Sequence, residues 1–165
     1  MKILITGGAG YIGSILTKKL LEKKYNVTVF DNFSFSQNSL IDLCSYNNLN
    51  IVIGDVRNKD LFKKLISEND IIIPLASLVG APICAKNKQL ATMLNEKQIE
   101  YLVKNISKKQ QIILPVTNSG YGIGKKDKFC DEKTPLNPIS HYGKTKVNAE
   151  RILMENTTNS ISLRL

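Results

Sequence analysis

Tyr142 and Lys146 stand four positions apart in His141-Tyr142-Gly143-Lys144-Thr145-Lys146, one helical turn, so their side chains share a face. Lys144, two residues from the tyrosine, points elsewhere. A tyrosine hydroxyl ionises near pH 10 and is a poor base at neutral pH. Bringing it to about 7 takes roughly 4 kcal/mol, at about 1.36 kcal/mol per unit. An ammonium fixed close by is one way to supply much of that. In isolation the pair reads as two surface side chains. Its weight comes from a second motif near the start of the chain.

That motif is Thr6-Gly7-Gly8-Ala9-Gly10-Tyr11-Ile12-Gly13. Gly8, Gly10 and Gly13 satisfy Gly-x-Gly-x-x-Gly, and Gly7, Gly10 and Gly13 satisfy a wider spacing. Small residues let the backbone approach a pyrophosphate, and a helix beginning there aims free N–H groups and a positive dipole end at it. The string follows an apolar run, opens a helical pattern, and is followed by an acidic residue, Asp31, at the end of the next strand. A carboxylate there accepts from the adenosine ribose hydroxyls and repels a 2′-phosphate, which selects NAD over NADP. Asp55, in Gly54-Asp55-Val56, ends the third strand. Two roles stay open for it: a place beside the adenine, or a helix cap ahead of Leu61.

The elements that must position these residues alternate. Strands are expected over Lys2 to Thr6, Asn26 to Asp31, Ile51 to Ile53, Ile71 to Leu75, Ile112 to Val116 and Ile161 to Leu165. Helices are expected over Tyr11 to Lys24, around Leu61 to Ile66, over Leu90 to Val103, and from about Ile139 to Asn156. Asn26 is read as a left-handed helix stop, and one short helix is placed around Ser39 to Cys44. Strand alternating with helix means an α/β fold, a doubly wound parallel sheet covered on both faces, with strand order 3-2-1-4-5-6. Pro74 and Pro115 fit poorly, because each lies inside a strand expected to be central and lacks a ladder N–H.

Composition narrows the class. A chain of 165 residues fits one domain and buries about two thirds of its unfolded surface. No apolar run approaches the roughly 20 residues that span a bilayer. The opening Met1-Lys2-Ile3-Leu4-Ile5 is cut short by Thr6-Gly7-Gly8, too early for a signal peptide, so the expected location is the cytoplasm. Cys44, Cys84 and Cys130 are odd in number and widely spaced, which argues against a disulfide framework and a metal site. The net charge of +9 is spread over Lys18-Lys19, Lys23-Lys24, Lys63-Lys64, Lys108-Lys109 and Lys125-Lys126, mostly the wet faces of amphipathic helices. With no aromatic-interleaved basic motif, no nucleic-acid partner is expected, and no membrane partner either.

The glycine string, Asp31-Asn32, Gly54-Asp55-Val56, Leu75-Ala76-Ser77, Thr117-Asn118-Ser119-Gly120-Tyr121-Gly122 and Tyr142-Gly143-Lys144-Thr145-Lys146 occur together in one order. In that order and approximate spacing the chain resembles the NAD-dependent epimerase/dehydratase family, the extended short-chain dehydrogenases/reductases, over essentially its whole length. The resemblance implies a Rossmann fold over residues 1–165 with NAD as cofactor. It implies that Tyr142 is the acid/base, that Lys146 binds the nicotinamide ribose and lowers the tyrosine pKa, and that Thr117 donates to the substrate oxygen. Ser119 is the rival for that last role. Cofactor contacts implied are Gly7, Gly10, Tyr11, Ile12, Gly13, Asp31, Asn32, Asp55, Val56, Leu75, Ala76, Ser77, Tyr142 and Lys146. Asn95 matches a family asparagine that braces the sheet, or is an exposed helical residue.

The implied chemistry takes a hydroxyl proton onto Tyr142 while hydride passes to the nicotinamide, giving a keto-sugar that an epimerase reduces from its other face. The 4,6-dehydratases resemble Thr-Asp-Glu after the threonine, and the UDP-glucuronate decarboxylases carry a Glu two places on. Asn118 and Ser119 supply neither, which leaves a nucleotide-sugar epimerase or a simple reductase. The alternatives are a dehydrogenase of another carbonyl compound and an NAD-binding module without catalysis. The family's smaller substrate domain is expected to lie beyond Leu165. The 165 residues are therefore expected not to turn over substrate, and the resemblance leaves room for a homodimer in a full-length form.

Overall fold

Apolar runs bounded by glycine, asparagine and aspartate build one parallel sheet of six strands. The computed structural model describes residues 1–124 and 129–165, so the Lys125-Lys126 pair lies outside the described residues. The strands are β1 (Lys2–Thr6), β2 (Asn26–Asp31), β3 (Leu49–Ile53), β4 (Ile71–Pro74), β5 (Gln111–Val116) and β6 (Ser160–Arg164). Their order is β3-β2-β1-β4-β5-β6, as the alternation predicts. The order reverses between β1 and β4, which is where such sheets open a ligand crevice at their carboxyl ends.

Alternation along each strand sends neighbouring side chains to opposite layers. Leu4, Phe30, Ile72, Ile112 and Leu114 pack beneath α2 (Lys59–Ser67), α5 (Gln98–Asn105) and α6 (His141–Asn156), through Phe62, Ile99, Leu102 and Leu153. Ile3, Ile5, Val27, Val29 and Ile73 pack on the other side against Leu21 of α1 (Tyr11–Glu22), with Leu40 and Leu43. Coverage of that second face is partial. On β6, Ser160, Ser162 and Arg164 are half-buried, whereas Ile161 and Leu163 are each 44% exposed. No helix among the described residues is long and apolar enough to cross a membrane.

Several boundaries differ from the sequence reading. The left-handed stop after α1 is Lys24, with φ of 63°, not Asn26, which already pairs with Lys2 in the ladder. The Tyr25 N–H returns to Leu20 O at 3.1 Å, so the turn geometry fixes Lys24 in that conformation, and its side chain is exposed. Helix α6 begins at His141 rather than Ile139, because Ser140 caps it by accepting the Gly143 N–H at 3.0 Å. The helix expected from Leu90 starts earlier. α3 (Ala81–Lys86), with Pro82 in its first turn, leads into α4 (Lys88–Thr92), which passes through a π-helical turn, Met93–Lys97, into α5.

The two misfit prolines have a common explanation. β4 and β5 pair only at Ile71↔Gln111 and Ile72↔Ile112, whereas β5 and β6 pair along their whole length. The Leu75 N–H bonds Thr6 O on β1, so by alternation the nitrogen of Pro74 faces β5. The Gln111 N–H bonds Asp70 O, so by the same alternation the nitrogen of Pro115 faces β4. Each missing N–H points into the stretch where the ladder has already ended. Neither proline costs a bond, and together they keep the two strand ends apart.

Candidate functional site

The glycine turn is shaped by close approach. Gly7 has φ of +69°, and a Cβ there would lie 2.6 Å from the Ala76 nitrogen. A Cβ on Gly13 would lie 2.5 Å from Gly7 O, so α1 rests directly on the turn. The helix has Gly10 as its cap with no side-chain acceptor and no acidic residue in its first turn. Its leading N–H groups and dipole are thus left for an anion. Tyr11 and Ile12 lie at that end, 85% and 49% exposed.

Asp31 ends β2 almost fully buried. Its carboxylate accepts the Ala9 N–H at 3.0 Å and the Phe33 N–H at 2.8 Å, so it ties the glycine turn to the loop that follows. Asn32, next along, donates to Asp55 at 3.0 Å and accepts the Ser34 N–H. Asp55 also holds Arg57 through two guanidinium bonds, at 2.9 and 2.8 Å. The Arg57 side chain beside it pulls the Asp55 carboxyl down to about 2. The capping role left open for Asp55 belongs instead to Asn58, which accepts the Leu61 N–H at 3.2 Å. Arg57 carried no signal in the sequence reading beyond its place two residues after an aspartate.

After β4 the chain turns through Leu75, Ala76 and Ser77. The Ala76 N–H donates to Thr6 Oγ1 at 3.2 Å, and Gln98 Nε2 donates to Ala76 O. Asn95, in the π-helical turn, is buried rather than exposed. It accepts the Leu78 N–H at 2.8 Å and donates to Leu78 O and to Thr145 Oγ1. Thr145 in turn donates to Tyr142 O at 2.9 Å. Asn95 therefore couples the loop after β4 to the first turn of α6.

That turn carries Tyr142, with Lys146 one turn on. Tyr142 packs against Leu78, Cys84 and Ala91. Burial raises its hydroxyl pKa, a hydrogen bond from the Thr117 side chain opposes this, and the Cys84 thiol adds to the rise. Lys146 is 6% exposed, and burial alone pulls its pKa from 10.5 to about 8. No carboxylate pairs with it among the described residues. The sequence reading expected this ammonium to depress the tyrosine pKa; the side chains that act on Tyr142 in this structure are Thr117 and Cys84, and Lys146 is not among them. Thr117 lies just past β5, its Oγ1 at 2.7 Å from Ser119 Oγ. Cys84 is fully buried and donates to Leu78 O, whereas Cys44 and Cys130 are exposed.

A second charge pair escaped the sequence reading. Arg164, at the end of β6, donates to both carboxylate oxygens of Glu150 on α6, at 3.0 and 3.1 Å, and to Tyr121 Oη at 3.2 Å. Ser162 donates to the same carboxylate. These bonds fix α6 against β6 and the segment following Thr117. A buried glutamate 14 positions before its arginine, on another element, leaves no local pattern to find.

One cavity of about 770 Å³ gathers these pieces. Every residue singled out above as acid/base or cofactor contact borders it, from the glycine turn and Asp31 at one end to Tyr142 and Lys146 at the other, and so does Thr117, whereas its rival Ser119 does not. Leu78, Val79, Ile83, Leu90 and Leu94 form an apolar wall beside Tyr142. An extended dinucleotide suits the arrangement: backbone that admits no Cβ, free helix N–H groups, and a buried ammonium without a carboxylate partner among the described residues. No group of metal-binding side chains occurs among the described residues.

Fold and site together define a dinucleotide-binding α/β domain with a tyrosine and a lysine on the wall of its cavity. The chain belongs to the NAD dependent epimerase/dehydratase family, whose model matches residues 3–165. It is 31% identical, over 92% of its length, to a bifunctional UDP-glucose 4-epimerase and UDP-xylose 4-epimerase of Pisum sativum, covering 46% of that protein. It is 30% identical, over 92% of its length, to a UDP-glucose 4-epimerase of the same plant. Among solved structures, a UDP-glucuronic acid 4-epimerase of Bacillus cereus, in complex with UDP-glucuronic acid and NAD, superposes with a TM-score of 0.87. The identity there is 28%, over 99% of this chain and 56% of that one. The chain thus spans about half the length of the curated relatives it matches.

Proposed function

We propose that this chain is the NAD-binding and catalytic part of a nucleotide-sugar epimerase that works through a keto-sugar. The observation that carries the reading is the shared cavity, with the Asp31-anchored glycine turn at one end and Thr117, Tyr142 and Lys146 at the other. NAD, when bound, supplies the hydride acceptor. Asp31 favours it over NADP, since a buried carboxylate disfavours an added phosphate. Gly7, Gly10, Gly13 and the N–H groups of Tyr11 and Ile12 hold the diphosphate, while Asn32, Asp55 and Val56 bound the adenosine end. Leu75, Ala76 and Ser77 form the floor beneath the reacting end.

Tyr142 moves the proton of the sugar hydroxyl, and Thr117 donates to the same oxygen. Lys146 holds a positive charge below about pH 8, one turn from the tyrosine, and binds the nicotinamide ribose. Asn118 and Ser119 carry no acid or base, so elimination and decarboxylation lack their groups. The relatives named for 4-epimerisation support a UDP-sugar as substrate.

Calorimetric titration with NAD and NADP, followed by incubation with UDP-, GDP- and CDP-sugars, tests the reading. NAD binds more tightly than NADP, and in the chain joined to the family's substrate domain Tyr142→Phe keeps NAD affinity while removing epimerisation. Equal affinity for the two cofactors, or epimerisation undiminished in Tyr142→Phe, overturns it.

A further inference from the structure

Thr117 borders the cavity, whereas Ser119, two residues on, lies outside it and is exposed. The Ser119 N–H donates to Thr117 Oγ1 at 3.2 Å, and the two side-chain oxygens are 2.7 Å apart. A hydroxyl oxygen has two acceptor lone pairs and one proton. The backbone bond fills one lone pair of Thr117. A proton from the Ser119 hydroxyl fills the second, and Thr117 can then only donate, with its own proton free for the cavity side.

We propose that Ser119 is a positioning residue that fills both acceptor sites of Thr117, through its N–H and its hydroxyl, and so commits the Thr117 proton to the cavity that Tyr142 also borders, for the phenol oxygen or a substrate hydroxyl to accept. The inference rests on the reading that Thr117 and Tyr142 act together on one oxygen. Two features set the direction of the chain. Ser119 is exposed, so its oxygen accepts from water while its proton turns inward. A phenol that gives up its proton becomes an acceptor only, and the hydrogen bonds must then run from Ser119 through Thr117 to Tyr142. Had the order been reversed, Thr117 would spend its single proton on a residue outside the cavity. The titratable groups beside Tyr142 are Cys84 from α3, which opposes its ionisation, and Lys146 one turn along α6. Neither touches Ser119.

The test uses the whole 165-residue chain with carbon-13 at the tyrosine Cζ, and Tyr142→Phe identifies the Tyr142 signal among the six tyrosines. Ser119→Ala is expected to raise the Tyr142 ionisation midpoint by about one pH unit, because a charge-assisted acceptor loses its committed donor. Ser119→Thr keeps the hydroxyl and the original midpoint. Should alkali unfold the chain before the midpoint, the Tyr142 Cζ shift at pH 7 decides, moving in Ser119→Ala and not in Ser119→Thr. An unchanged Tyr142 in Ser119→Ala, or an equal change in both variants, overturns the proposal. Because the measurement needs no cofactor, a failure here is separate from a failure of NAD binding.

Discussion

The carboxylate of Asp31, at the end of β2, accepts the N–H of Ala9 at 3.0 Å, so the second strand holds the glycine turn of the first. The same group accepts the Phe33 N–H, and one side chain therefore sets the positions of two loops on the cavity wall.

Asp31→Ala strands two N–H groups, one of them deeply buried, and removes the charge that discriminates between cofactors. Loss of charge-assisted bonds of this kind costs about 2 kcal/mol. Chemical denaturation should show that loss, and calorimetry should show NAD affinity falling more than NADP affinity. A variant with native stability and an unaltered cofactor ratio would remove Asp31 from both roles.

Lys146 works against the stability of the fold. Its folded pKa of about 8 lies below the unfolded value, so below pH 8 the chain bears the full cost of a buried ammonium. That cost is relieved as pH rises from about 8 toward 10.5, where the unfolded chain holds more protons than the folded one. Lys146→Met should stabilise the protein by about 1–3 kcal/mol at pH 7, with the advantage shrinking above pH 8. NAD affinity should fall in the same variant. Denaturation curves across that range check it; a destabilised Lys146→Met chain would show that the ammonium has a partner.

Asp55 has the opposite sign. Its folded pKa of about 2 lies below the ordinary value of 3.8, so its contribution is complete above about pH 4 and disappears as pH falls toward 2. Asp55→Asn should therefore lower stability by about 1 kcal/mol at pH 6, and by almost nothing near pH 2. Urea titrations at the two pH values make the comparison, and equal losses at both would detach the effect from the Arg57 pair.

The outer edge of the sheet carries Ile161 and Leu163 on its uncovered side. An edge strand with exposed apolar side chains invites pairing between copies. The chain should self-associate in a concentration-dependent way, and Leu163→Lys should shift sedimentation toward the monomer. A wild-type chain that stays monomeric at high concentration would show that the edge is protected.

Much of this was legible in the sequence because each strand is a short run of β-branched or aliphatic residues that ends where the chemistry begins. Gly7, Gly13 and Asp31 follow that rule, since their roles depend on local backbone and on position at a strand end. Residues that act across elements left no such trace. Asn95 reaches Leu78 and Thr145 from a π-helical turn, and no periodicity marks where a helix gains an extra residue per turn. Glu150 and Arg164 meet only once α6 has packed on β6. Capping of α2 stays open for Asp55 in the sequence because aspartate and asparagine are equally good caps, and only the fold shows that Asn58 takes that role while Arg57 and Asn32 engage the aspartate.

Pro74 and Pro115 give the crevice a permanence that side-chain packing alone would not. Two strand ends bearing ordinary amides would be free to zip together whenever the space between them emptied, and a ligand would then have to prise them open. With imino nitrogens turned toward the opposite strand on both sides, that closed state lacks two of its ladder bonds, so it has little to gain. The gap is inherited through covalent structure, and a ligand arriving there meets a doorway that has no door.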